Sequence, residues 1–378
     1  MDKTILHLRS STGFYGAEQV ILTLARELTN LGCTIHIVCI NNTKNPHLEL
    51  LEEAKKADLS AFAVDCRGFF DLRTVKSIRE IIRSNGIDVI HCHDYKTCVL
   101  GLSASSGLKV GKVATNHLWT YATLRLHIYA TIEGILYNLF DKIVAVSEDI
   151  EKECRPFILR KDKLNVIPNG IDLRPFALDN KDNERRSTRA QLGFAEHDLV
   201  IGNIARLSIE KDQAMLLRAF KMLTGLSKKE SFKLLIAGDG PEEHNLRQLA
   251  QDLGVHSQCR FAGFRKDIPQ LLNCLDVYVQ SSRREGLPMI ILEAMAAQTA
   301  IVSTRAGGIP RVIRDGEQGR LVDIGDADQL TRVLDKLLSN PDERRKLAQR
   351  ARHRVEEEFS ADVMADRYMA LYREITEN

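Results

Sequence analysis

Apolar residues run through this chain in short unbroken stretches, separated by longer segments in which they recur every three or four positions. TILHL (4–8) predicts a buried strand, and residues 16–31 after it predict an amphipathic helix. TIHIVCI (34–40), AFAVD (61–65), DVIHCH (88–93), KVATNH (112–117) and KIVAVS (142–147) continue the series, with helix-length segments between most of them. Strands that alternate with helices predict a parallel, doubly wound sheet.

The pattern pauses at LNVIPNGIDLRPF (164–176), where Pro168, Asn169 and Gly170 punctuate the chain, and a charged stretch, LDNKDNERRSTR (178–189), follows. Such composition predicts a linker over 176–197. The alternation then restarts with LVIGNIAR (199–206), FKLLIAGDG (232–240), CRFAGF (259–264), LDVYVQSS (275–282), AIVST (300–304) and GRLVD (319–323). The expected organisation is an N-terminal α/β domain over 1–175 and a second over 198–359. The tail from 326 to 378, with no glycine after Gly325, reads as helical. In open α/β sheets, ligands lie beyond the carboxyl ends of the strands. Two such sheets facing a central cleft would put the informative residues just after strands.

Composition narrows the function classes. A chain of 378 residues with 44% hydrophobic and 28% charged residues is of ordinary globular make-up. A net charge of +2 gives no footprint for nucleic acid. The eight cysteines form no CxxC pair, which fits a reduced compartment. The apolar run at the N-terminus is too short for a signal peptide, and no run is long enough to span a bilayer. A cytoplasmic protein is expected, with peripheral contact at the inner face of the membrane left open.

The unusual residues cluster after strands. RREGLPMIILEAMA (283–296) carries Glu285 at the carboxyl end of one strand and Glu293 within an otherwise apolar helix. A buried carboxylate needs a partner, either a structural arginine or the hydroxyls of a polyol ligand. Arg206 and Lys211 follow the strand LVIGNIAR; two cations there suit a diphosphate, or are a solvated pair at a helix start. In RSSTGFYGAEQ (9–19), Gly13 and Gly16 would let backbone N–H groups approach an anion at a helix N-terminus. This is not GxGxxG, and the second strand ends in Asn41 and Asn42 with no acid for a ribose, which argues against a dehydrogenase. His117 ends another strand. His91, Cys92 and His93 lie in a strand that sends neighbours to opposite faces, which argues against a metal. The segment 122–140 is read as a core helix, with a face for an apolar acceptor tail as the alternative.

Taken in order, the motifs resemble the retaining glycosyltransferases of the GT-B fold in family 4. Glu285-Gly286-Leu287-Pro288 through Glu293-Ala294-Met295-Ala296 resembles the signature with two glutamates eight positions apart. Gly16-Ala17-Glu18, Asp88 to His93, Asn116-His117, Pro168 to Asp172, Ala237 to Pro241 and Gly307 to Pro310 match further family elements. The resemblance implies two Rossmann-like domains and a final helix, 360–378, that crosses back to the first. It implies a nucleotide-sugar donor held by Arg206 and Lys211 at the diphosphate, Glu285 at the sugar hydroxyls and Glu293 at the ribose. Gly286, Leu287 and Pro288 lie along the donor, and Gly263, Phe264 and Arg265 lie by the base. Gly16 approaches the phosphates and His117 contacts the sugar. A glycan or lipid-linked acceptor is implied, with membrane contact through the N-terminal domain, no metal and no cofactor. Sugar transfer in bacterial surface polysaccharide or lipopolysaccharide synthesis is therefore expected, against a nucleotide-sugar epimerase or a non-catalytic sugar-binding protein. The chain departs from the family at Tyr15, Asp212, Gln298, Ala300 and Arg311.

Overall fold

The computed structural model describes residues 3–10, 13–117, 124–178, 180–226 and 231–377. The chain divides into two compact units, Met1–Ile171 with Phe359–Asn378, and Asp172–Glu358. In the first, strands β1 (Thr4–Arg9), β2 (Thr34–Asn42), β3 (Ser60–Cys66), β4 (Val89–Cys92), β5 (Gly111–Asn116), β6 (Lys142–Ala145) and β7 (Leu164–Val166) form a seven-stranded sheet ordered β3-β2-β1-β4-β5-β6-β7. Every pairing is parallel. The second unit holds β8 (Leu199–Ile204), β9 (Phe232–Ala237), β10 (Cys259–Gly263), β11 (Val277–Gln280), β12 (Ala300–Thr304) and β13 (Arg320–Val322), ordered β10-β9-β8-β11-β12-β13 and again all parallel. These are the two doubly wound sheets that the alternation predicts.

The strands read as continuous apolar runs because helices cover both faces of a parallel sheet. In the first unit, Leu8, Ile90 and Cys92 turn toward the helix Tyr95–Ser105, where Gly101 lets the backbone come close: a Cβ there would lie 2.6 Å from Cys92 Sγ. On the other face, the helix Ala361–Glu377 lays Tyr368 and Tyr372 against β4 and β5. Its entry is fixed by Gly170. The bridge between Ile171 and Ser360 brings the two backbones together, and a Cβ at position 170 would sit 2.6 Å from the Ser360 carbonyl oxygen.

Three readings of local pattern need correction. Residues 176–197, expected as a linker, contain the helix Lys181–Leu192 and lie within the second unit. Its charge reads as a solvated tether, but Arg189 is buried and donates to Asp276 Oδ2 at 2.8 Å and to the Cys274 carbonyl at 2.9 Å. Residues 164–166, where the alternation pauses, form edge strand β7, too short to show a period. The stretch 122–140 contains the helix Leu124–Leu136, and residues 118–123 lie outside the described residues. It is not a wholly buried core helix, because Ile128, Ile132, Ile135 and Leu139 form an exposed apolar row.

Gly170→Ala should lower the stability of the first unit by about 1–3 kcal/mol, as a methyl group forced against backbone does. Gly225→Ala, with no atom of the described residues within 4 Å of the new Cβ in the helix Gln213–Leu226, should instead raise stability by about 0.5–1 kcal/mol. Denaturant unfolding, with the two transitions fitted separately, checks both; equal effects would refute the backbone contact.

Candidate functional site

In each sheet the strand order reverses once, between β1 and β4 and between β8 and β11. Loops leaving the carboxyl ends of such strands diverge and open a crevice. Arg206 and Lys211 follow β8, Glu285 follows β11, His7 lies within β1 near its carboxyl end, and His93 directly follows β4.

In the second unit the sequence builds the crevice with backbone-to-backbone contacts. After β9, Gly238 (φ +135°) and Gly240 (φ +151°) let the loop press on the segment that carries Arg206. A Cβ on either would fall 1.9 Å from the Ala205 carbonyl oxygen or 2.3 Å from that of Leu207. The contact is locked by hydrogen bonds from Leu207 N–H to the Asp239 carbonyl, 2.7 Å, and from Glu242 N–H to the Leu207 carbonyl, 3.1 Å. After β12, Gly307 (φ +51°) does the same for Glu285, where a Cβ would lie 1.8 Å from the Glu285 carbonyl oxygen. Gly308 N–H donates to the Gly286 carbonyl at 3.0 Å.

On this frame Lys211 Nζ donates to Glu285 Oε1 at 2.6 Å. The same oxygen accepts Gln280 Nε2 and Ser282 Oγ, each at 2.5 Å. Tyr278 in turn donates to Gln280 Oε1. Burial, and then the charges of Glu285 and Glu293, hold the Tyr278 phenol protonated far above its ordinary range. Three donors converging on one carboxylate oxygen hold Glu285 in one orientation. Gln280, Ser282 and Tyr278 are thus part of the site, although the sequence reading passed over them. The available signal was a polar Gln280 closing the apolar strand LDVYVQ.

The remaining candidates of this unit are placed as follows. Arg206 is exposed on the β8 loop, and its carbonyl accepts Gln213 Nε2 at 3.0 Å. Gly263 ends β10, and Phe264 and Arg265 follow it in the bend. There Phe264 is 65% exposed, and Arg265 is drawn aside to Asp267 at 2.7 Å. Gly286, Leu287 and Pro288 are half-buried, and Pro288 caps the helix Met289–Ala296. Glu293 is half-buried, not enclosed as its apolar neighbours in sequence predict, because Met289, Ile290 and Glu293 share the less covered side of this helix. Asp212 and Gln298 both adopt left-handed backbone, φ +46° and +59°, at positions where the family commonly has glycine. Asp212 tolerates that conformation through local bonding: its side chain accepts Met215 N–H at 3.2 Å and Arg283 Nε at 2.7 Å. Arg311 lies in the short helix Ile309–Val312, and its carbonyl accepts Arg354 Nη2 at 2.8 Å.

In the first unit Gly16 opens the helix Gly16–Asn30 and is exposed; Ser11 and Thr12, which precede it in the sequence, lie outside the described residues. Glu18, buried, accepts Tyr15 N–H at 3.0 Å and Arg9 Nε at 2.8 Å. Arg9 also donates to the His93 carbonyl at 2.8 Å. His117 is joined to two further histidines. His7 Nδ1 lies 2.9 Å from His93 Nε2, and His93 Nδ1 lies 3.1 Å from His117 Nε2. Strand alternation places His91 and His93 on the same face and Cys92 on the other. His7, His91 and His93 could each offer a nitrogen, all within 4.8 Å of one another. Yet His91 is already bonded through Nδ1 to Tyr372 Oη and through Nε2 to Thr115 Oγ1, both at 2.7 Å. Of the six nitrogens on these three rings, only His7 Nε2 has no partner among the described residues.

Burial lowers the His7 pKa to about 3. Burial, with the Arg9 charge as a smaller cause, also takes His117 to about 3. His91 and His93 are held well below the ordinary value, again chiefly by burial.

Known proteins agree with this architecture. The family described as Glycosyl transferases group 1 matches residues 184–354, and Glycosyltransferase Family 4 matches residues 14–174. A protein named as a glycosyltransferase, EpsD of Bacillus subtilis (strain 168), is 30% identical over 357 residues, 90% of each chain. The UDP-Gal:alpha-D-GlcNAc-diphosphoundecaprenol alpha-1,3-galactosyltransferase of Escherichia coli is 24% identical over 99% of this chain and 97% of its own. Among solved structures, Anabaena HepE in complex with UDP-glucose superposes with a TM-score of 0.82 at 21% identity, covering 98% of this chain and 99% of its own. The two sheets have the GT-B fold, and the chain belongs to the group 1 glycosyltransferases, family 4.

The buried histidines make stability depend on pH with a definite sign. Below the unfolded value of about 6.5 the unfolded chain takes up protons that folded His7 refuses until about pH 3, so stability is complete above 6.5 and is lost on acidification between these values. Each such group adds a slope of about 1.4 kcal/mol per pH unit. Urea unfolding of the first unit between pH 7.5 and 5 should show this loss, and His7→Phe should flatten it by about one group. An unchanged slope would mean that His7 titrates normally in the fold.

Proposed function

We propose that the chain transfers a hexose from a UDP- or GDP-linked donor to a glycan or lipid-linked acceptor, with retention of the anomeric configuration, in assembly of a bacterial surface polysaccharide or glycolipid. The observation that carries this reading is the Lys211–Glu285 pair, 2.6 Å long and held at the strand switch point by the glycine-packed loops, with Arg206 on the same loop as the lysine. A fixed carboxylate beside two cations suits a ligand that carries hydroxyls next to a diphosphate.

In this reading Arg206 and Lys211 neutralise the charge that develops on the departing diphosphate, which is the work a metal would otherwise do. Glu285 accepts a hydroxyl of the donor sugar on the carboxylate edge left over from its three internal donors. Glu293 accepts the ribose hydroxyls, the Phe264 ring offers an exposed face to the base, Gly16 approaches the phosphates, and His117 contacts the sugar. The displacement proceeds on one face of the sugar, assisted by the leaving phosphate, and uses no cofactor. The UDP-Gal donor in the name of the Escherichia coli enzyme, and the UDP-glucose bound by Anabaena HepE, favour a UDP-linked donor. The diphosphoundecaprenol in that enzyme's name, and the exposed row Ile128, Ile132, Ile135 and Leu139, favour a lipid-linked acceptor met at a membrane surface. Among the described residues no helix is long and apolar enough to cross a membrane.

Glu285→Ala and Lys211→Ala should each reduce transfer at least about a hundredfold, the scale for losing a preorganised charged contact, while circular dichroism stays unchanged. Near-normal turnover in either variant would refute the site. Transfer should survive chelation by EDTA, and a thermal-shift screen should find stabilisation by one nucleotide sugar. Donor incubated alone should stay unchanged by NMR; an epimer would identify a different reaction. Ile132→Asp with Ile135→Asp should abolish co-sedimentation with anionic vesicles without affecting donor binding.

A further inference from the structure

Gln280 closes β11 with only 1% of its surface exposed, and Tyr278, two residues earlier on the same face of the strand, is fully buried. The structure leaves one arrangement of protons between them and Glu285. Lys211 carries only donors, so the Glu285 Oε1 that it meets at 2.6 Å is an acceptor. The Gln280 contact to that oxygen, 2.5 Å, must then come from the amide nitrogen. This turns the amide oxygen toward Tyr278, whose hydroxyl must donate to it. A reversed amide would set its oxygen against Oε1 and lose both bonds. Burial, and then the neighbouring carboxylates, keep the Tyr278 phenol protonated, so this donor is permanent.

The three groups that hold Oε1 are not equivalent. Lys211 is a charge on a flexible stem, with 23% of its side chain exposed. Gln280 and Ser282 are neutral and buried, and β12 pins their segment, because Thr304 Oγ1 donates to the Ser282 carbonyl at 2.6 Å. A diphosphate attracts the lysine and has no comparable hold on a buried amide or hydroxyl. The other carboxylate oxygen, Oε2, has no hydrogen bond among the described residues and is not closed off from solvent.

We propose that Gln280, oriented by Tyr278, is a positioning residue that holds Glu285 by Oε1 independently of Lys211. The lysine is thereby free to turn to the donor diphosphate while Oε2 stays in place for a hydroxyl of the donor sugar. This inference rests on the reading above in which Glu285 meets the sugar and Lys211 the diphosphate, and the two fail separately.

The first measurement needs no ligand. Gln280→Glu replaces the amide by a carboxyl of the same shape. The groups that face it are Glu285, Lys211 across the shared oxygen, and Tyr278, with Glu293 acting on the phenol from the helix Met289–Ala296. Two carboxylates in contact ionise together only at a large cost, so the pair keeps a proton above the ordinary range. With that proton on the introduced carboxyl the original pattern survives: its O–H donates to Glu285 and its other oxygen accepts Tyr278. The unfolded chain loses the proton at about pH 4.3. Urea stability of the variant should therefore lie closest to wild type below that value and fall away from it as pH rises toward about 8. A gap that stays constant over this range shows that position 280 does not press on Glu285, and overturns the proposal whatever the protein transfers.

The second measurement uses Gln280→Met, which keeps the length and removes both polar atoms. Calorimetry compares UDP-glucose with UDP, which lacks the sugar; GDP-mannose and GDP serve if UDP does not bind. The sugar nucleotide should bind about tenfold more weakly than to wild type, and the nucleoside diphosphate within about twofold. Equal weakening of both, or of neither, overturns the proposal where Glu285→Ala weakens the sugar nucleotide alone. If Glu285→Ala binds it normally, the placement of Glu285 at the sugar is what fails, and the stability gap alone decides whether Gln280 positions Glu285.

Discussion

Gly307 stands where any Cβ would collide with the Glu285 carbonyl oxygen, and this exclusion underlies the arrangement of the second unit. Four loops meet at the carboxyl edge of its sheet. They meet backbone to backbone, with Gly238 and Gly240 against the Arg206 loop and Gly307 and Gly308 against the Glu285 loop. Contacts between main chains leave little freedom to adjust, because no rotamer can yield. The side chains on that frame inherit its rigidity: Lys211, Gln280 and Ser282 converge on one oxygen of Glu285, and Ser281 Oγ ties back to the Lys211 carbonyl at 2.9 Å. Such a carboxylate is prepared to receive a ligand hydroxyl without reorganising, which is what preorganised electrostatics requires.

The first unit solves the problem of buried polarity differently. His7, His91 and His93 are buried where a charge would be expensive, so they remain neutral; His7, His93 and His117 bond in series, and His91 bonds Tyr372 of the helix Ala361–Glu377. Arg9 and Glu18 form the charged boundary of this neutral patch, joined at 2.8 Å. The second unit therefore orients charged side chains, and the first keeps its buried rings neutral. Both arrangements depend on the reversal of strand order, which brings β1 beside β4 and β8 beside β11 and so joins residues far apart in the chain.

Much of this was legible in the linear sequence. Continuous apolar runs broken by helical periods specify parallel sheets, since a strand covered on both faces must be apolar on both. Glycines that follow strands mark close approach of backbone, and Arg206, Lys211, Glu285 and His117 each follow a strand, where a parallel sheet exposes its loops. Local chemistry reaches that far because it depends on neighbours within a turn or a strand length. The charged stretch 178–189 exceeded it: Lys181–Leu192 is a helix because Asp276, remote in sequence, accepts Arg185 and Arg189, and no local period records that. Glu293 exceeded it as well, since an apolar helix looks enclosed until the packing of its neighbours leaves one side partly open.

The sequence by itself determined the two sheets, the glycine-spaced loops and the residue types at their tips, because steric and hydrophobic constraints act on each segment alone. Only the tertiary structure decided which tips meet. It set three donors on one Glu285 oxygen, gave Asp212 and Gln298 the left-handed backbone that glycine would take more easily, and strung His7, His93 and His117 into one chain. Hydrogen-bond partnership is a property of positions in space, and strand order, which fixes those positions, is set by the packing of the whole unit.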